Sequence, residues 1–313
     1  MQKRRFGQTD YEVTPVCVGT SALGNFPAQY GYEVDDATAV ATILKVFEGP
    51  LNFIDTSNEY GNGGDSERRI GEALRQVGGL PEGFVLATKV DPLPGSTDFS
   101  ARRTRESVLE SLDRLGQEQL QVCYLHDPEK ISFEAGIAPD GPLQAMIAMK
   151  KEGLIRHLGV AGGPIDLMLA YVETGAFDAV ISHNRYTLVD QSAEPLIQEC
   201  ARRGIAFVNA APYGGGILAK GPDKVVKYCY APAEARMLDQ VRRMDAVCAA
   251  HGVPLAAAAL QFSMRDSRVS STIVGMSEPK RIAQTLALSS HPIPDDVWQE
   301  LGALIGERGR ASA

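Results

Sequence analysis

The chain has 313 residues, 44% of them hydrophobic and 22% charged, the balance of an ordinary globular protein able to bury a large core. Its formal net charge of −8 argues against a nucleic acid or an anionic membrane surface as partner. No apolar run approaches the roughly 20 residues that span a bilayer, and no apolar stretch follows the basic residues Lys3, Arg4 and Arg5, as a signal peptide requires.

Residues 1 to 14 read as a small polar hairpin turning at Gly7-Gln8-Thr9-Asp10. From there short apolar runs alternate with helical patterns. The first run is Val16-Cys17-Val18-Gly19. A helix over 36 to 48 follows, with Val40, Ile43, Leu44 and Phe47 on one face and Asp35 or Asp36 as its cap. The second run, 51 to 54, lacks helical periodicity and is bounded by Pro50, so it reads as a buried strand that ends at Asp55. A glycine-rich loop holding Tyr60 comes next, then a helix from about Ser66 with Ile70, Ala73 and Leu74 on one side.

The third strand is 84 to 88, and Lys89 closes it; Ser100 caps the following helix, which carries Val108, Leu112 and Leu115. The fourth strand, 120 to 125, is closed by His126, and a long loop runs from Asp127 to Pro142. A helix over 143 to 152 stops at Gly153 in the manner of a glycine cap. The remaining strands are 157 to 160, 179 to 181, 205 to 209 and 271 to 274, with helices over 164 to 173, 193 to 203, two within 233 to 264, and two more near 279 to 288 and 294 to 306.

Eight short strands, each followed by a helix, predict a parallel sheet, and eight is the number that closes a (β/α)8 TIM barrel. The expected fold is therefore α/β, a single barrel domain over 1–313 with an N-terminal β-hairpin and extra C-terminal helices. An open doubly wound sheet is the alternative; no Gly-x-Gly-x-x-Gly follows the first strand, which weighs against it. Five cysteines, widely spaced and without a Cys-x-x-Cys pair, argue against a metal site or disulfide framework and fit a reducing cytoplasm.

In a barrel, chemistry gathers at the C-terminal ends of the strands. Asp55, Lys89 and His126 stand at the ends of consecutive strands two, three and four, and Tyr60 lies just beyond strand two. Adjacent strands lie about 4.8 Å apart, so the four groups can converge. A carboxylate past a buried strand needs a partner, and Lys89 is the cation to hand. A tyrosine titrates near about 10 and is a poor base at neutral pH. An ammonium nearby lowers that value, and Asp55 would keep Lys89 charged to do so. Tyr60 then serves as proton donor or acceptor, and His126 orients a substrate oxygen. This machinery handles the proton on an oxygen whose carbon gains or loses hydride, and the protein itself carries no hydride. A nicotinamide cofactor is implied.

Asp55, Tyr60, Lys89 and His126 resemble, in order and setting, the Asp-Tyr-Lys-His tetrad of the aldo-keto reductase superfamily. Phe53-Ile54-Asp55-Thr56, Tyr60-Gly61, Ser66-Glu67 and Ile70-Gly71 resemble the flanking pattern of that family, and the similarity runs over nearly the whole chain. Leu23-Gly24-Asn25 and the stretch from Arg185 to Ser192 are similar to the bacterial aldose dehydrogenases, which oxidise L-fucose and related sugars at C1 to lactones; pyridoxal 4-dehydrogenases are similar as well. The resemblance implies a cytoplasmic NAD(P)-dependent dehydrogenase for a small molecule, with pyridoxal as the alternative substrate. A nicotinamide-sensing regulatory subunit on the same fold is the alternative of another class.

The resemblance also assigns contacts. Gly19, Asn184, Gly214, Gly215, Gly216, Leu218, Gly275 and Arg281 would touch the cofactor, and Phe26, Tyr30 and Asp127 the substrate. Phe26 and Tyr30 could equally be loop packing, and Asp127 could equally start a turn before Pro128. Three departures from the family stand out. Its Gly-Val-Ser-Asn after strand five is here Gly159-Val160-Ala161-Gly162, its stacking tyrosine falls at Ala210 with Tyr213 as a replacement nearby, and its phosphate-binding Lys-Ser falls at Gly275-Met276. Loss of that lysine points to NAD, with NADP still open. His157, His183 and Trp298 read as structural.

Overall fold

The computed structural model describes residues 1–229 and 231–310. Among these, eight parallel strands close into a barrel: β1 (Val16–Gly19), β2 (Phe53–Asp55), β3 (Val85–Val90), β4 (Leu120–His126), β5 (Ile155–Gly162), β6 (Ala179–His183), β7 (Ala206–Ala210) and β8 (Val269–Gly275), with β8 pairing back onto β1. The expected TIM barrel is the observed one. Its outer ring comprises α1 (Asp36–Phe47), α2 (Asp65–Val77), α3 (Ala101–Leu115), α4 (Pro142–Lys151), α5 (Ile165–Glu173), α6 (Glu194–Arg203), α7 (Ala235–Ala250), α8 (Leu255–Met264), α9 (Pro279–Ser289) and α10 (Asp295–Arg310).

Local chemistry starts and stops these helices. The Asp35 side chain accepts from the Thr38 amide at 2.7 Å, and the Ser100 hydroxyl accepts from the Arg103 amide at 3.3 Å. Gly78, Gly116 and Gly204 end α2, α3 and α6 in the left-handed conformation. The loop expected over 127 to 142 contains more structure than its composition suggested: a 3₁₀ turn at Pro128–Lys130 and a short helix at Phe133–Ile137, whose Ser132 hydroxyl accepts from the Ala135 amide.

Two apolar layers result from the strand period of two. Cys17, Phe53, Val85, Ala87, Val122, Tyr124, Ala179, Ile181 and Val208 fill the barrel interior. Their alternates, such as Val18, Ile54, Leu86, Cys123, Leu125, Val160 and Phe207, pack against the helices. A third cluster joins α7, α8 and α10 to Leu188, Val189, Ile217 and Leu218. The hairpin of Arg4–Arg5 and Glu12–Val13 seals the floor: Phe6 meets Phe53 edge to face at 5.4 Å, and the Arg4 guanidinium donates to the carbonyl oxygens of Met264, Asp266 and Val269.

Of β2, β3 and β4, two run further than expected at their C-terminal ends: β3 continues through Lys89 to Val90 and β4 includes His126, while β2 ends at Asp55 as read. Polarity of the side chain does not interrupt a parallel ladder made by the backbone, so the pairing Lys89 to Tyr124 and His126 to Ala161 persists.

Inside the barrel the Tyr124 ring lies where a side chain on Gly159 would be, so β5 needs glycine at that position. The Tyr124 hydroxyl is fully buried and has no hydrogen-bond partner among the described residues. Tyr124→Phe should therefore raise unfolding free energy by about 1 kcal/mol, since it removes an unsatisfied buried group and almost no volume. Urea denaturation of the two proteins measures this; a loss of stability would mean the hydroxyl is satisfied.

Candidate active site

The inward parity of each strand delivers one side chain to the barrel mouth. On β3, Val85 and Ala87 face the interior, so Lys89 does too; on β2 the sequence is Phe53 then Asp55, and on β4 it is Val122, Tyr124, then His126. These top positions, with Gly19, Ala161, His183, Ala210 and Gly275, line a cavity of about 860 Å³. Its remaining wall comes from the loops after the strands and from α8 and α9, through Ala256, Arg281, Gln284, Thr285 and Leu288.

Tyr60 reaches the cavity from the loop after β2. That loop is pinned against the 3₁₀ turn Ser21–Gly24: a Cβ on Gly24 would lie 2.7 Å from the Gly61 nitrogen, and Gly61 has φ +98°. The Ser66 amide donates to the Tyr60 carbonyl at 3.0 Å, and the Ser66 hydroxyl donates to the Thr20 carbonyl at the same distance. Both glycines and Ser66 are thus the seam that positions Tyr60.

Lys89 Nζ donates to Asp55 Oδ2 at 2.7 Å, to the Thr56 carbonyl at 2.6 Å and to Tyr60 Oη at 3.3 Å, and stands 4.7 Å from the centre of the Tyr60 ring. Asp55 and Lys89 are 3% and 2% exposed, so the pair is desolvated and each charge depends on the other. Burial pushes the Asp55 carboxyl up, with Lys89 pulling the other way. The expectation that Lys89 lowers the Tyr60 phenol is corrected here: burial first, then the carboxylates of Asp55, Asp91 and Asp127, hold it well above a tyrosine's ordinary value. Tyr60 rests as the protonated acid.

His126 lies with its ring edge-on to Tyr60, centroids 6.0 Å apart. Its Nδ1–H donates to Asp91 Oδ1 at 2.6 Å. Asp91 was missing from the candidates. It follows Lys89 by two residues, so strand parity alone aims it to the same side. Its Oδ2 accepts from the Ser57 hydroxyl and from the Glu59 amide at 3.1 Å, while its own amide donates to Ser107 Oγ and its carbonyl accepts from Arg103 Nε, both at 3.1 Å. Burial opposes the Asp91 carboxylate, but His126, Ser57 and Lys89 together bring it down to about 2. Burial likewise pushes His126 down, and the carboxylates of Asp91 and Asp127 outweigh it, leaving the imidazole above its ordinary value.

Most of the other candidates reach the cavity: Gly19, Phe26, Tyr30, Asp127, Asn184, Gly215, Gly216, Gly275 and Arg281 all line it. Tyr30 is anchored by its hydroxyl to Ser21 Oγ at 2.8 Å and stacks on Tyr32. Asp127, Asn184 and Ala211 hold the mouth with φ of 44°, 59° and 55°. Two candidates do not line it. Leu218 is fully buried in the cluster of α7 and α8, and Gly214 packs under the Tyr228 ring, so both organise the segment after β7 and not the cavity surface. His183, read as structural, instead lines the cavity; burial and then Arg185 bring it down to about 4. Its parity with Ile181 was the available signal. His157 sits at the floor beside Asp10 and Asp178, and the Trp298 ring packs under the Arg265 guanidinium.

Two groups of side chains, Glu59 with Asp91 and His126, and Asp127 with Glu129 and His183, bring potential metal-ligand atoms within 4.8 Å of one another. In the first, both Asp91 oxygens already accept hydrogen bonds.

The sequence profile of the aldo/keto reductase family matches residues 15–305. The chain is 30% identical to an L-galactose dehydrogenase of Arabidopsis thaliana, over 97% of this chain and 94% of that one. It is 29% identical to a D-threo-aldose 1-dehydrogenase of a Pseudomonas species (90% and 92% covered) and 28% identical to a pyridoxal 4-dehydrogenase of Microbacterium luteolum (96% of each). The holo form of an aldo-keto reductase from Bacillus halodurans superposes with a TM-score of 0.79 over 97% of this chain and 96% of that one, at 23% identity, which speaks to the fold. A profile match across nearly the whole length, joined to full-length relatives that are oxidoreductases, places this chain in the aldo/keto reductase family as an oxidoreductase.

Proposed function

We propose that this enzyme oxidises an aldose, an L-fucose-like sugar, at C1 to the lactone, with NAD as the preferred acceptor. The observation that carries the reading is Tyr60 Oη within 3.3 Å of a buried Lys89–Asp55 pair, at the base of a cavity whose rim offers carboxylates to sugar hydroxyls. Glu59, Asp127 and Glu129 supply those acceptors, while Phe26 and Tyr30 give an apolar wall suited to a deoxy carbon. Two of the relatives are named for aldose oxidation.

The residues present fit a nicotinamide. Asn184 is 2% exposed in the cavity wall, and its Oδ1 has no hydrogen-bond partner among the described residues. It can accept from a carboxamide where the family's Ser-Asn pair is replaced by Ala161-Gly162. Nothing stands within 4 Å of the Cβ positions of Gly215 and Gly275, so backbone there is open to a ligand. Arg281 would hold phosphate. No side chain projects at position 275, where the family's lysine meets the 2′-phosphate, and this supports NAD. When bound, the cofactor supplies the hydride acceptor.

The chain's own residues handle the proton. His126 positions the C1 hydroxyl, and Tyr60 Oη takes its proton as hydride leaves the carbon. Lys89 stabilises the phenolate, and Asp55 holds Lys89 in place. Because burial and neighbouring carboxylates favour the phenol, the base form is scarce at neutral pH. With His126 replaced by Gln, so that no histidine titration offsets it, oxidation should therefore accelerate as pH rises, while reduction of an aldehyde, which uses the acid form, should not. A kcat/KM profile for oxidation by that variant that is flat from neutral to alkaline pH would remove Tyr60 as the base.

Tyr60→Phe should lower kcat by at least about 10²-fold and leave cofactor binding, read by fluorescence quenching, unchanged. Wild-type turnover in this variant would refute the role. Substrate and cofactor are tested together by NADH or NADPH formation with L-fucose, L-galactose, D-arabinose, D-glucose and pyridoxal. Strong turnover of a sugar with at least a tenfold NAD preference is expected; turnover of pyridoxal alone would move the enzyme to the branch of its third relative.

A further inference from the structure

We propose that Asp91 is a positioning residue that fixes the His126 ring, taking its Nδ1–H and leaving Nε2 at the cavity as the donor to the substrate oxygen. This deepens the reading above and rests on it for the identity of that oxygen. The geometry is specific. The Asp91 side chain is fully buried, and its carboxylate has three donors: the His126 ring, the Ser57 hydroxyl and the Glu59 amide. Its backbone is held on both sides by α3, through Ser107 and Arg103. A buried carboxylate held only by neutral donors is costly; a cationic partner makes the arrangement favourable. Of the three donors only His126 can become a cation.

The other face of the ring has a weaker contact. Nε2 stands 3.6 Å from Asp127 Oδ1, beyond a good hydrogen bond, on a residue that also lines the cavity. An oxygen entering the cavity gives Nε2–H a closer partner than Asp127. In neutral histidine with Nδ1–H bonded to Asp91, Nε2 is an acceptor; in the doubly protonated ring it is a donor. Asp91 thus decides which of the two the substrate meets. A charged donor on the substrate oxygen stabilises the alkoxide that forms as Tyr60 removes the proton.

The charges around His126 come from several elements. Asp91 just past β3 and Asp127 from the loop after β4 favour the cation, and Asp55 adds to them at longer range. Glu59, from the loop after β2, is close by and is itself paired to Lys130 at 2.9 Å. Lys89 opposes the cation, and His183 across the cavity does the same when charged. Tyr60, protonated, adds no charge. The opposed set makes Asp91, the nearest group, decisive.

Proton NMR of the histidine Cε1–H signals tests this without any turnover, with His126→Gln used to assign the resonance. In the wild type His126 should titrate above about 6.5, the ordinary value. In Asp91→Asn it should fall by at least about one pH unit. A wild-type value at or below the ordinary one overturns the proposal even if the variant fails to fold. So does an unchanged value in a folded Asp91→Asn protein. In aldehyde reduction, where the acid form of Tyr60 is used throughout, a rate that needs charged His126 is lost as pH rises through its pKa. Asp91→Asn should move this falling limb to lower pH, lowering kcat more than it changes KM, and Asp91→Glu should restore part of it. An unmoved limb with a uniform loss would leave Asp91 a merely structural residue. Failure here leaves the Tyr60→Phe result untouched, so the two readings fall separately.

Discussion

The ion pair of Lys89 and Asp55 organises the mouth of this barrel. Two charges this deeply desolvated are stable only together, and either one left alone would cost several kcal/mol. The pair therefore ties β2 to β3 at the level where the apolar filling ends and the cavity begins. Lys89 spends its remaining hydrogens on the Thr56 carbonyl and on Tyr60 Oη, so the backbone leaving β2 and the phenol that returns from its loop share one anchor. Below this level the interior is Phe53, Ala87 and Tyr124; above it the strand tops carry His126 and His183 beside the small Gly19, Ala161, Ala210 and Gly275.

A second buried carboxylate repeats the logic one strand on. Asp91 relates to His126 as Asp55 does to Lys89, and in both cases the carboxylate sits where water cannot satisfy it. The two anions share the neighbourhood of Tyr60 and add to burial, the larger cause, in holding its phenol above the ordinary value.

Much of this was legible in the residues. Apolar runs bounded by Pro, Gly and capping side chains gave eight strands, and the polar residue closing three of them gave the cluster. Asp91 was missed and His183 was read as structural although the same parity carries them, because the third strand was ended before Lys89 and the sixth at Ile181, while the ladders run on to Val90 and His183. Leu218 and Gly214 were assigned by resemblance along the chain, and only the three-dimensional course of the segment after β7 shows that one fills a core and the other makes room for Tyr228. The sign of the Tyr60 shift also lay out of reach. It depends on how burial and three carboxylates sum against one ammonium, and a linear sequence states neither distance nor depth.

The rim has one more property. Asp127, Asn184 and Ala211 all adopt the left-handed conformation directly after barrel strands. Asp and Asn tolerate it; alanine does so at a cost of roughly 1–2 kcal/mol relative to an unstrained backbone. The floor, by contrast, is closed by a hairpin whose positive φ falls on Gly7, where it costs little, and whose Phe6 is fully buried against Phe53. Tension in this fold is thus unevenly distributed, concentrated in the ring of residues that faces the cavity. The ring of residues that faces the cavity is also where the backbone after three barrel strands carries this strain.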